Sequence, residues 1–121
     1  MITDAEGTRP PMKVPNAENA VIARDKIADY LLNADHPQGG SKARLLVSLG
    51  YSAVQWERLA TDLRIAHLSE EIIASSISSW GRRYEVVAPL TGPSGDAVMF
   101  RSVWQIDLGS DMPRSITMYP E

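Results

Sequence analysis

Near residue 72 the spacing of apolar residues along this chain changes from helical to alternating. Before that point, Ile27, Tyr30 and Leu31 stand at i, i+3 and i+4, which predicts a helix from Arg24 to Asn33. Ala20 to Ile22 reads as a short strand or as the approach to that helix. The run Asp35-His36-Pro37-Gln38-Gly39-Gly40 stops it, because proline and paired glycine both disfavour helix continuation. Leu45, Leu46 and Leu49 predict a second helix, capped by Ser41 and ended by Gly50. Ser52 and Gln55 form a capping-box pair for a third, running to about His67 with Val54, Leu59, Leu63 and Ile65 or Ala66 as its buried stripe.

Beyond residue 72 the pattern predicts strands. Residues 72–77 read as a strand or a helix end, and 83–90 as a strand, with a Gly/Pro turn at 91–95. A long strand follows over 97–108, then a turn, then a last strand over 114–119. The fold class is therefore α+β: two to three N-terminal helices packed on an antiparallel meander of three to four strands. Alternation assigns Val98, Phe100, Ser102, Trp104 and Ile106 to the core face of the long strand, with Tyr84, Val86, Ala88 and Leu90 before it and Ile116 and Met118 after it. Arg83, Glu85, Arg101, Gln105, Ser115, Thr117 and Tyr119 then point the other way. Such a face is either a plain solvated side of the sheet or a site, and its arginines, hydroxyls and phenol suit phosphate and base contacts.

With 121 residues the chain makes one domain, assigned to 14–121 behind a proline-rich flexible leader over 1–13. The absence of cysteine removes disulfides, thiolate metal sites and a thiol nucleophile together. Neither a signal sequence nor a membrane-length apolar run is present, so the expected location is cytoplasmic, or a target cell reached by a route that needs no cleaved signal, with no membrane partner. A net charge of −3 argues against broad nucleic-acid binding, yet residues 41–67 carry four Lys/Arg against two Asp/Glu. The middle helices are locally basic inside an acidic chain.

The densest chemistry lies in His36-Pro37-Gln38-Gly39-Gly40-Ser41-Lys42-Ala43-Arg44, which joins a proton-transfer group, a flexible turn and a cation. His36 could equally be a surface residue that opens a turn. Lys42 falls in a first helical turn, where the helix dipole disfavours a cation unless an anion is to be served. The glycine spacing is not that of a nucleotide-hydrolase phosphate loop. His67, at a helix end, is expected to favour the C-terminal dipole and to do no chemistry. The two histidines are too far apart to suggest a metal site, and no cofactor is implied.

A set of short motifs spans nearly everything from Lys13 to Pro120: Lys13-Val14-Pro15-Asn16-Ala17-Glu18, Asp29-Tyr30-Leu31-Leu32-Asn33 with His36-Pro37, Leu49-Gly50-Tyr51, Trp80-Gly81 with Arg83-Tyr84, Leu90-Thr91-Gly92-Pro93-Ser94-Gly95, Arg101-Ser102-Val103-Trp104 and Thr117-Met118-Tyr119-Pro120. In these the chain resembles a bacterial domain family of unknown function, found as stand-alone proteins and as C-terminal modules of polymorphic toxins. In layout it is similar to the barnase–EndoU–colicin–RelE group of ribonucleases. Trp80 departs from the smaller or tyrosine-like residue expected before Gly81, a change expected to touch packing more than chemistry.

The resemblance implies a metal-independent ribonuclease in which the ribose 2′-hydroxyl attacks the adjacent phosphate. His36 is then general acid or base, Lys42 and Arg101 are transition-state cations, and Thr117 orients a phosphate oxygen or the 2′-hydroxyl. Arg83, Arg114, Trp80 and Tyr119 would bind substrate, the aromatics by stacking. Its partners would be RNA and a cognate immunity or carrier protein. The alternatives are a non-catalytic protein-binding module, adaptor or immunity-like, using the same sheet face, and a structural domain fused to larger proteins. What separates them is geometric: the catalytic reading needs the Lys42 helix to face Arg101 across one cleft.

Overall fold

The computed structural model describes residues 12–27 and 40–121. Nearly all of the expected leader, most of the helix expected over 24–33, and His36 lie outside the described residues. A 3-10 turn at Ala17–Asn19 precedes helix α1 (Gly40–Ser48) and helix α2 (Trp56–His67). Four strands follow: β1 (Ala74–Ser78), β2 (Gly81–Thr91), β3 (Ala97–Asp107) and β4 (Pro113–Pro120). They pair antiparallel in the order β1-β2-β3-β4, so the α+β meander expected from the sequence is the fold.

The core lies between the helices and one face of the sheet. Leu46 and Leu49 of α1 and Leu59 and Leu63 of α2 pack with Tyr84, Val86, Leu90, Phe100, Trp104 and Met118. Val14, Ala20, Ile22 and Ile27 close the same core from the N-terminal segment. Val21 makes a parallel bridge to Arg114, donating to the Pro113 carbonyl at 2.8 Å and accepting from the Ser115 amide at 3.0 Å. This covers the first residues of the β4 edge.

Three details of the helices differ from the sequence reading. Helix α1 includes Gly40, so Ser41 lies within its first turn rather than capping it. In α2 the buried residues are Leu59, Ala60, Leu63 and His67, while Val54 is 91% and Ile65 69% exposed. Val54 sits in the turn before the helix, and Ile65 is two residues from Leu63, about 200° around the axis and so on the opposite side. The expected capping box does not cap α2: the helix starts at Trp56 with Gln55 at the N-cap, and the bond from the Gln55 amide to Ser52 Oγ at 3.3 Å closes the turn before the helix.

The inner face of the sheet holds one polar group of its own. Trp104 Nε1 donates to Ser102 Oγ at 2.9 Å, and Ser102 Oγ lies 2.7 Å from His67 Nδ1, all three residues being buried. If the serine hydroxyl donates to Nδ1, the imidazole carries its proton on Nε2, which makes no well-formed hydrogen bond. Burial drives the His67 pKa down to about 4, against a smaller upward pull from the Ala88 carbonyl. The expectation that His67 serves the helix dipole is thus corrected: desolvation outweighs the dipole, and the ring is neutral.

In β4 one residue breaks the alternation. Val103 pairs with Thr117 but Trp104 with Ser115, so Ile116 is an extra residue at a β-bulge. Arg114, opposite Gln105, and Thr117, opposite Val103, therefore share the open face although they are three residues apart. Ser115, expected on that face, turns inward opposite Trp104. Two glycines mark close approaches. At Gly81, with φ near +141°, a side chain would collide with the Ile106 carbonyl, and at Gly92 with the Leu49 carbonyl at the end of α1.

Candidate functional site

The open face of the sheet carries two polar groups, one toward each end of β3. The first is built from β2, β3, β4 and α1. Arg101 donates through Nε and Nη2 to both carboxylate oxygens of Glu121, each at 3.0 Å, and through Nη1 to Glu85 at 2.6 Å. These bonds hold Arg101 protonated well above its ordinary range, and Arg101 in turn lowers the Glu121 pKa. Glu85, Val103 and Thr117 form one row across the sheet, with Arg101 and Tyr119 paired in the next position along β3. Val103, buried although it lies on this face, is the floor between them.

Lys42 completes this group from outside the sheet. Buried Ala43 and Leu46 hold α1 on the core, and Lys42 reaches the β4 side, where Nζ stands 3.4 Å from Thr117 Oγ1 and 5.7 Å from the Tyr119 ring centre. The latter lies within the range of a cation–π contact. Lys42, Thr117, Tyr119 and Arg101, expected to meet in one cleft, thus form one connected neighbourhood. Lys42 touches Tyr119, and Tyr119 stands opposite Arg101.

The second group lines an open cleft of about 810 Å³ at the other end of the face. Arg83 Nε donates to Gln105 Oε1 at 2.9 Å, Gln105 Nε2 to Asp107 at 2.6 Å, and Arg114 to both Asp107 oxygens at 2.7 and 3.1 Å. Arg114 and Gln105 hold the Asp107 pKa down to about 2, and Asp107 raises that of Arg114. Trp80 stands at the rim, 76% exposed, so it does not affect packing as its departure from the family pattern suggested. The expected substrate-binding residues therefore divide: Trp80, Arg83 and Arg114 line this cleft, whereas Tyr119 belongs with Lys42.

Sequence reasoning left Glu121, Gln105, Asp107 and Glu85 without roles. Alternation already put Glu85 and Gln105 on this face, and Asp107 follows Gln105 by the same rule. Nothing in the spacing singles out Glu121, which joins through the last pairing of β4. Among the described residues, no three His, Cys, Asp or Glu side chains group as a metal site would require, and no helix is long and apolar enough to cross a membrane.

The model of the DUF6883 family, a domain of unknown function, matches residues 13–121. The chain belongs to the DUF6883 family. No curated protein matches it. Among solved structures, the DUF6883 fold is similar to a chain of the contact-dependent growth inhibition toxin–immunity protein complex from Klebsiella pneumoniae 342. The TM-score is 0.61 at 20% sequence identity, with 84% of this chain and 99% of that chain covered. At that identity the likeness is one of fold.

Proposed function

We propose that this DUF6883 domain is a metal-independent endoribonuclease of a bacterial toxin system. The observation that carries the reading is the row Glu85–Val103–Thr117, flanked by Arg101 and approached by Lys42. A phosphate resting over Val103 would have a carboxylate on one side, a hydroxyl and an ammonium on the other, and a guanidinium beside it. Glu85 accepts the proton of the ribose 2′-hydroxyl as its oxygen attacks phosphorus. Lys42 and Arg101 neutralise the charge that develops on the phosphoryl oxygens, and Thr117 donates to one of them. The bond to the 5′ oxygen breaks, that oxygen takes a proton from an acid, and the products are a 2′,3′-cyclic phosphate and a free 5′-hydroxyl. His36, expected from the sequence as general acid or base, is the candidate for that acid.

The similarity in fold to a chain from a growth-inhibition toxin–immunity complex supports the toxin-system reading, and with it a cognate immunity or carrier protein. One observation favours the non-catalytic alternative: Arg101 is already engaged by two carboxylates, as in a face built to present charge to a protein. Incubation with total tRNA and rRNA in chelator separates the two. Cleavage leaving cyclic phosphate ends, reduced about 100-fold or more in Lys42→Ala and Glu85→Gln, is the expected result. Intact RNA, or equal cleavage by the variants, would overturn it.

A further inference from the structure

The cleft beside Trp80 contrasts with the Lys42 group in charge balance. Arg101 meets two carboxylates, but among the described residues Arg83 has none, and its bond to Gln105 uses Nε, leaving its terminal N–H groups for a ligand. The same cleft presents an exposed indole, the hydroxyls of Ser76 and Ser78, and the Asp107 carboxylate. Asp107 is already paired with Arg114, so an acidic peptide would gain from Arg83 but would leave the exposed indole beside it unused. A nucleotide uses both, since its phosphate accepts from a guanidinium and its ring stacks on an indole.

We infer that this cleft is a nucleobase subsite for single-stranded RNA, displaced along β3 from the place where the phosphate is cut. Val103 lies four residues before Asp107, which stands at the Trp80 end of the cleft, about 13 Å along an extended strand. Nucleotides rise ~3.4 Å each when stacked and about twice that when splayed, so the gap corresponds to about two unstacked nucleotides. The RNA thus lies along the open face with a base on Trp80 and the scissile phosphate at Val103. Duplex RNA, whose bases are not splayed, is a poor ligand for this subsite. The placement of the cut rests on the ribonuclease reading, but the binding of the base does not.

The test uses RNA in which every 2′-hydroxyl is methylated, so that binding is measured without cleavage. Anisotropy of a 5′-labelled octanucleotide should give a Kd at least 10-fold weaker for Trp80→Ala and for Arg83→Ala, with Trp80→Phe close to the parent. Equal octanucleotide affinity in the parent and Trp80→Ala would overturn the subsite. So would displacement of the octanucleotide by polyglutamate in the parent but not in Arg83→Ala, which would mark the cleft as a seat for an acidic protein segment. Trp80-dependent binding in a protein that leaves unmethylated RNA intact supports the subsite and removes the ribonuclease reading, so the two fail separately.

Discussion

The two faces of this sheet treat their polar side chains in opposite ways. On the inner face, Trp104, Ser102 and His67 are sealed from water, and the titratable member stays neutral. On the open face, Arg101 with Glu85 and Arg114 with Asp107 form ion pairs that stay partly solvated. Burial makes a polar group a matter of stability, because each lost partner leaves a desolvated atom. Exposure makes it a matter of recognition, since water screens the pairs and a ligand can exchange with them. Substitutions on the two faces should accordingly separate folding from binding.

The sharpest break is expected at Trp104→Ala, which empties the fully buried centre of the core and should cost about 3–5 kcal/mol in urea unfolding. Acid should act next, through His67. Its pKa is near 4 when folded against 6.5 for the free side chain, so the unfolded chain binds the proton first as pH falls. Stability is complete above pH 6.5 and declines toward pH 4, by roughly 3 kcal/mol in all. Urea titrations at pH 7 and pH 4 measure this, and His67→Gln should flatten the difference. Asp107 contributes separately and lower, its share being lost only as pH falls from the ordinary carboxylate range through about 2.

Ser102→Ala should cost about 2 kcal/mol, because it strips both Trp104 Nε1 and His67 Nδ1 of a partner in a dry site. A shift below half that value would mean that water enters the inner face and would blur the contrast. The smallest effect belongs outside. Arg114→Ala, whose side chain and Asp107 are each 43% exposed, should change stability by less than about 1 kcal/mol while weakening the binding of single-stranded RNA.

Much of this fold was legible because the two periodicities are strong. The buried set Tyr84, Val86, Ala88 and Leu90, and the trio Phe100, Ser102 and Trp104, follow from alternation alone. The failures have local physical causes. Alternation carried through β4 would put Arg114 opposite in sense to Thr117, and only the bulge at Ile116, which no residue type announces, restores them to one face. His67 was misread because a helix end suggests a dipole partner, whereas its burial depends on strands distant in sequence. In the candidate site, Lys42, Arg101 and Thr117 were legible as separate chemistries. Their division from Trp80, Arg83 and Arg114 was not, because it depends on distance along the strands.

The contact between Gly92 and the Leu49 carbonyl turns the β2–β3 hairpin into a clamp on α1. The Ser94 amide donates to the same carbonyl at 3.0 Å, and Gly92 lets the backbones close to that distance. Lys42 is carried by α1, so the reach of its ammonium is calibrated at the far end of the helix, by a hairpin tip that contributes no side chain to the site. A methyl group at Gly92 would act as a spacer, and its effect would register first as a misplaced charge beside Thr117.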